Sequence, residues 1–298
     1  GNYGIIRKCR NRETGQTYAI KSIPKSAEEC RAKKIKHVSK LESIQREAEI
    51  LQQVSAHPSI VQLVDTYEDV QYLHLVTELC SGGMLFDRII DKTKKSFSEK
   101  EAATLSKSIL SAVAYLHEEK NTVHRDIKCE NFLFVENDHG KGGGASLSIK
   151  LIDFGMSRLD PLDEPMTTSI GTAFYVSPEV LDKIYGKKCD LWSVGVVVYM
   201  IICGYYPFYG ESTNQIIKHV KTGKFDYPSA EWGCVSKSAK EFVSSLLTVD
   251  PNERPSALEA LEHPWIVKHT TVKKTLSRSL SKGLKKSMSK IGGRSKTA

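Results

Sequence analysis

Acidic, basic and amide side chains recur at short fixed spacings in three places between residues 124 and 179. His124-Arg125-Asp126-Ile127-Lys128-Cys129-Glu130-Asn131 is followed by Asp153-Phe154-Gly155 and then by Ser177-Pro178-Glu179, with Ala19-Ile20-Lys21 far upstream. Carboxylate and amide oxygens are hard ligands of the kind a small divalent cation takes, and lysine is a compact charge suited to phosphate. A lone Asp-Phe-Gly carries no information, and a single lysine on a strand ordinarily faces solvent. The whole set in this order carries the signal.

Elements must hold these residues in place. The first eighty residues read as strand-rich around one helix: strands at Ile5 to Cys9, Thr17 to Ile23, Ile60 to Val64 and Leu73 to Glu78, with a turn at Glu13-Thr14-Gly15. Between them, Leu41, Ile44, Ala48 and Leu51 fall at helical spacing within Val38 to Val54, which puts Glu47 on an adjoining face. After Ser81-Gly82-Gly83 the pattern turns helical, with helices expected at Ala102 to His117, Leu191 to Ile202, Thr213 to Thr222, Ser238 to Leu247 and Ala257 to Leu261. Two short strands, Phe132 to Val135 and Leu147 to Ile152, flank a loop containing Gly142-Gly143-Gly144. The fold class is therefore α+β, a small sheet-rich lobe followed by a larger helical one.

The three motifs and the upstream lysine resemble the catalytic loop, metal-binding loop and activation-segment end of eukaryotic protein kinases, in particular the Ser/Thr type of the calcium/calmodulin-dependent and calcium-dependent group. The resemblance spans residues 1–266 and implies a bilobal fold, with an antiparallel-sheet lobe at 1–80, a helical lobe at 81–266 and a tail at 267–298. It implies ATP and Mg²⁺ as cofactors and protein serine and threonine hydroxyls as acceptors. Residue by residue, Lys21 grips the phosphates and Glu47 steadies it; Asp126 orients the acceptor and Lys128 the transferred group; Asn131 and Asp153 hold metal. All five positions on which activity depends (Lys21, Glu47, Asp126, Asn131 and Asp153) are filled, which speaks against a catalytically silent scaffold.

By the same resemblance, Gly1 and Gly4 belong to a glycine loop over the phosphates, whose first strand and first glycine would precede this sequence. Ile6, Ala19 and Leu133 enclose adenine, Glu78 to Cys80 form the hinge, and Thr77 guards the rear pocket. Leu51, Leu63, His124 and Phe154 form a stack anchored by Asp190, and Glu179 pairs with Arg254. Thr168 is the activation-loop phosphosite candidate, with Arg125 and Arg158 to receive the phosphate; Thr167 and Ser169 compete with it, and an unmodified polar loop is the plain alternative. The family pattern is broken at three places. The Lys21 to Glu47 interval is long by several residues, Met84 replaces an acid in Gly82-Gly83-Met84-Leu85, and Ser177 stands where alanine is usual. Glu130 is a candidate for binding a basic residue of the substrate.

Of the 43 basic residues ten lie from Lys268 onward, against none of the 35 acidic ones, so the remainder holds 33 basic and 35 acidic residues. The body thus has no nucleic-acid signature, and the net charge of +8 belongs to the tail. There Val272, Leu276, Leu280, Leu284, Met288 and Ile291 recur at steps of four and three among basic residues, so 272–291 reads as a basic amphipathic helix, and the resemblance to calcium-regulated kinases implies a target for calmodulin or a calcium sensor and an autoinhibitor there. Leu276-Ser277-Arg278-Ser279-Leu280-Ser281 also resembles a kinase substrate. A solvated polar tail and a membrane-surface segment are the other readings. Seven scattered cysteines without a C-x-x-C pair read as reduced thiols, which suits a cytoplasmic or nuclear setting. The longest apolar run, Val194 to Cys203, falls short of the ~20 residues of a membrane span and reads as a core helix.

Overall fold

The computed structural model describes residues 4–26, 28, 31, 33, 41–91, 96–136, 146–157, 173–182 and 186–271. Gly1, Arg158, Thr167, Thr168, Ser169 and the 272–291 stretch lie outside them.

Strands β1 (Ile5–Arg10), β2 (Thr17–Pro24), β3 (Leu63–Glu68) and β4 (Tyr72–Glu78) form one antiparallel sheet in the order β1-β2-β4-β3. The β1–β2 hairpin is set by Asn11, whose Oδ1 accepts the N–H groups of Glu13 and Thr14 at 2.9 Å, and by Gly15 at φ 72°. Register places Lys21 opposite Ile6 on one side and Leu75 on the other, so all three share one face. Helix α1 (Leu41–Val54) packs Ile44, Ile50, Leu51 and Val54 into the core. The expected strand at Ile60 to Val64 is displaced, since β3 starts at Leu63. Ile60 and Val61 are fully apolar and are drawn into the junction between lobes, where Ile60 bridges Leu151 in parallel. The strand that follows is a largely exposed edge, for which a polar sequence is appropriate.

The larger lobe is built from helices α2 (Leu85–Ile90), α3 (Glu99–Ala114), α4 (Pro178–Leu181), α5 (Lys188–Cys203), α6 (Thr213–Thr222), α7 (Ser229–Trp232), α8 (Lys237–Leu246), α9 (Ala257–Leu261) and α10 (Pro264–Thr270). Helix α5 is buried at every position from Cys189 to Ile201, which explains its largely apolar sequence, with Asp190 and Ser193 as buried polar exceptions. Among the described residues no helix is long and apolar enough to cross a membrane. Helix α3 begins at Glu99, three residues earlier than its apolar pattern suggests, because Ser98 and Glu101 form a reciprocal capping box. Its Glu99 accepts from Ser236 and from Trp265 Nε1, fastening α8 and α10 to it. The short hairpin β5 (Phe132–Phe134) and β6 (Ile149–Leu151) lies beneath the sheet lobe. Four short helices, α2, α4, α7 and α10, were not expected from the sequence, whereas the equally short α9 was.

Candidate active site

Two clusters of charge are built from the residues expected from the sequence, one bridging the lobes and one within the larger lobe. In the first, Lys21 Nζ stands 2.6 Å from Glu47 Oε1 and 3.1 Å from Asp153 Oδ1, so a strand, a helix and a loop of the other lobe meet on one ammonium. Burial by itself would lower the Lys21 ammonium, but the two carboxylates reverse that and hold it above its ordinary value. Burial raises the Glu47 carboxyl against the pull of Lys21, and the charge of Asp153 adds to the rise. Burial also opposes ionisation of Asp153, yet Lys21 and the Gly155 N–H at 3.2 Å keep its carboxyl below the usual range. With all three ionised the cluster carries one surplus negative charge, which suits a cation.

The second cluster sits on the loop before β5. Lys128 Nζ lies 2.6 Å from Asp126 Oδ2, and Asn131 Nδ2 donates to Asp126 O at 2.8 Å and to Oδ2 at 3.1 Å. Both donors share Oδ2, so Oδ1 is the oxygen Asp126 can turn toward an acceptor. Asn131 spends its N–H groups on Asp126, so its amide oxygen is the atom it can give to a metal.

The loop has a strained shape and a buried support. Arg125 has φ 70°, a left-handed conformation that side chains rarely adopt. Asp190 holds it there by accepting the N–H of Arg125 on Oδ1 and that of His124 on Oδ2, both at 2.8 Å, while His117 Nε2 reaches Oδ2 at 2.8 Å. These partners outweigh burial and keep the Asp190 carboxyl below its ordinary value. His124 packs edge-on against Phe154 with ring centres 5.0 Å apart, which ties this loop to that of Asp153. Leu51 and Phe154 are buried in the common core and Leu63 packs against it.

A cleft of about 260 Å³ opens beside the first cluster. Ile6, Ala19, Lys21, Glu47, Thr77, Glu78, Cys80 and Leu133 line it, all of them expected from the sequence. Val61, Leu75 and Ile152 line it as well and were not singled out, because nothing in an apolar residue's type separates a cleft wall from a core. Gly4 backs onto β2 so closely that a Cβ would meet the Ser22 carbonyl oxygen at 2.9 Å, and Gly82 lies still closer to Phe134 and Glu136. A mostly apolar cleft ending at a lysine and carboxylates fits a flat base joined to a charged phosphate chain. No group of three or more His, Cys, Asp or Glu among the described residues could hold a metal by itself. A metal here would take Asp153 and Asn131 and complete its shell from phosphate and water, the usual habit of Mg²⁺.

Further from the cleft, Glu179 and Arg254 form a bidentate pair at 2.6 and 3.0 Å, with Arg254 fully buried. Glu130 is engaged by the Tyr175 hydroxyl, which donates to it at 3.1 Å, a partner its position in the sequence did not suggest.

The protein kinase domain family matches residues 1–266. The chain is 42% identical over 266 residues to calcium-dependent protein kinase 29 of Arabidopsis thaliana, covering 89% of this chain and 47% of that protein. It is 38% identical over 291 residues to calcium-dependent protein kinase 5 of Plasmodium berghei, covering 96% and 48%. To calcium-dependent protein kinase 3 of the same parasite it is 40% identical over 269 residues, covering 90% and 45%. The chain thus spans about half the length of these relatives. A match over nearly the whole described body, joined to the lysine, carboxylates and cleft above, makes this chain a member of the protein kinase family.

Proposed function

We propose that the chain is the catalytic domain of a Ser/Thr protein kinase of the calcium-dependent group, transferring the γ-phosphate of ATP to protein serine and threonine hydroxyls. The observation that carries this reading is Lys21 shared between Glu47 and Asp153, because it joins a small-lobe cation to a large-lobe metal ligand at the end of an adenine-sized cleft. Lys21 binds the phosphate chain, Asp126 orients the acceptor hydroxyl and receives its proton, and Lys128 neutralises charge on the moving phosphoryl group. Bound Mg²⁺ would supply charge neutralisation on the phosphates, held through Asp153 and Asn131. The acceptor oxygen bonds to the γ-phosphorus as the bond to the β–γ bridging oxygen breaks, and ADP leaves.

A kinase-fold scaffold is the competing class, and the intact polar clusters weigh against it. Regulation by calcium is supported by the names of the relatives and by the basic amphipathic spacing of 272–291, which we assign to a calcium-sensor target that restrains the domain. Thr168 is the proposed activation-loop phosphosite, and the cytoplasm or nucleus the proposed setting.

The test is a γ-phosphate transfer assay on a degenerate Ser/Thr/Tyr peptide library with Mg²⁺. Phosphoserine and phosphothreonine should accumulate with the native chain. No product from a folded, nucleotide-saturated sample, or product that persists undiminished in Asp126→Asn, would leave the scaffold reading instead.

A further inference from the structure

Glu78 ends β4 and opens the crossing into the large lobe, and its carboxylate is held on both sides of that crossing. Its Oε1 accepts the Gln62 N–H at 2.7 Å and lies 2.6 Å from Lys150 Nζ. Its own N–H donates to Gln62 O at 3.0 Å, so the two residues are bound reciprocally. Lys150 comes from β6 of the large lobe and also reaches Ile60 O at 3.4 Å. The connector between α1 and β3 is stitched to the same strand, with the Val61 N–H donating to Leu151 O and the Leu151 N–H to Ser59 O, each at 2.9 Å. One ion pair thus joins the end of the small-lobe sheet, the connector and a large-lobe strand.

The pair is partly shielded: the side chains of Lys150 and Glu78 are 14% and 26% exposed, so screening by solvent and salt is weaker than for a surface pair. Its anchors also border the cleft. Val61 and Ile152, next to the stitched residues, line it from behind, and Cys80 lines it from the crossing. Lys150 itself is not among the lining residues, so its charge acts on the cleft through Glu78 and the connector.

We propose that the Glu78–Lys150 ion pair is a positioning device that fixes the crossing between lobes in the arrangement that holds nucleotide. Lys150 thereby sets nucleotide affinity without itself lining the cleft. The inference rests on the nucleotide reading of the cleft. Ile6 and Ala19 come from one lobe and Leu133 from the other, so a base is gripped only while the two are held in register. A loosened crossing makes binding supply that ordering itself, which lowers affinity.

Calorimetric titration of the full chain with ADP and Mg²⁺ tests this, using Lys150→Met and the charge-conserving Lys150→Arg. Lys150→Met should weaken ADP binding and raise the KM for ATP about fivefold, the scale of one partly shielded pair, with kcat within about twofold. Lys150→Arg, which keeps a cation opposite Glu78, should retain most of the native affinity. Unchanged affinity in Lys150→Met, even with a lower Tm, would make the pair merely structural and overturn the proposal. Tighter binding or a raised kcat would make it a brake and overturn it equally. If the native chain binds no ADP, the nucleotide reading fails, and this inference falls with it.

Discussion

Lys21 is placed where its charge cannot be replaced by shape. A methionine there would fill the same space but leave Glu47 and Asp153 facing each other with no cation between them at 2.6 and 3.1 Å. Lys21→Met should therefore lower kcat/KM by about 10² to 10³, the range for one preorganised donor. Asp126→Asn should lower kcat by about 10² to 10⁴ while leaving nucleotide affinity nearly unchanged, since Asp126 serves the acceptor. Steady-state peptide phosphorylation together with nucleotide titration separates the two. A second contrast concerns thiols. Burial pushes Cys80 up to about 11 although it borders the cleft, while Cys234 is exposed. Mass-mapped alkylation near neutral pH should label Cys234 first and Cys80 slowly. At this scale the sequence was informative for charged residues, because the motif spacing around Asp126 and Asp153 is unlike chance. It said little about Glu130 or Lys150, whose partners Tyr175 and Glu78 come from distant segments and leave no local pattern.

The loop carrying Arg125 and Asp126 keeps its strained shape because α5 supplies Asp190 from below. Replacing that carboxylate by an amide turns an acceptor into a donor against the N–H of His124 or Arg125. Asp190→Asn should cost about 3 kcal/mol of stability and most of the activity, measurable by chemical denaturation and by the peptide assay. Ser98→Ala removes one half of the α3 capping box and should cost about 1 kcal/mol with the kinetics preserved. Among elements, α6 and α9 were readable to the residue, while α5 starts three residues before its expected Leu191. Helix α6 has a polar and an apolar face and is bounded by Ser212 and Gly223, while α5 is a largely apolar helix closed by Gly204 whose first turn carries the polar Lys188 and Asp190. The misplaced start of β3 has the opposite cause: Ile60 and Val61 are as apolar as any strand, and the pairing that claims them lies in the other lobe.

The two lobes are joined at the level of side chains as well as by the chain itself, through Lys21–Asp153 and Glu78–Lys150. Acid should act on the large-lobe loop beneath this junction, where His124 packs against Phe154. Burial lowers the His124 imidazole below its usual 6.5, and the Asp126 N–H directed at Nδ1 at 3.3 Å makes that nitrogen an acceptor. The unfolded chain then binds a proton below about pH 6.5 that the folded chain refuses, so stability falls as pH drops through that region. Asp190, whose folded value lies below 3.8, gives a stabilisation that is complete above that pH and is lost as pH falls through its lower folded value. Thermal melts from pH 8 to pH 3 should show both declines. A flat profile between pH 7 and pH 5 would contradict the buried neutral imidazole. The lobe division was legible in the sequence because strand and helix periodicities occupy separate halves; the ties across it were not, since each joins residues far apart in the chain.

The account depends most on a metal-bound nucleotide being held between Lys21 of one lobe and Asp153 of the other. The direct measurement is ADP affinity of the native chain and of Asp153→Asn, each with and without Mg²⁺. The native chain should bind ADP more tightly when Mg²⁺ is present, and Asp153→Asn should lose that gain. An equal gain in both proteins would contradict the account.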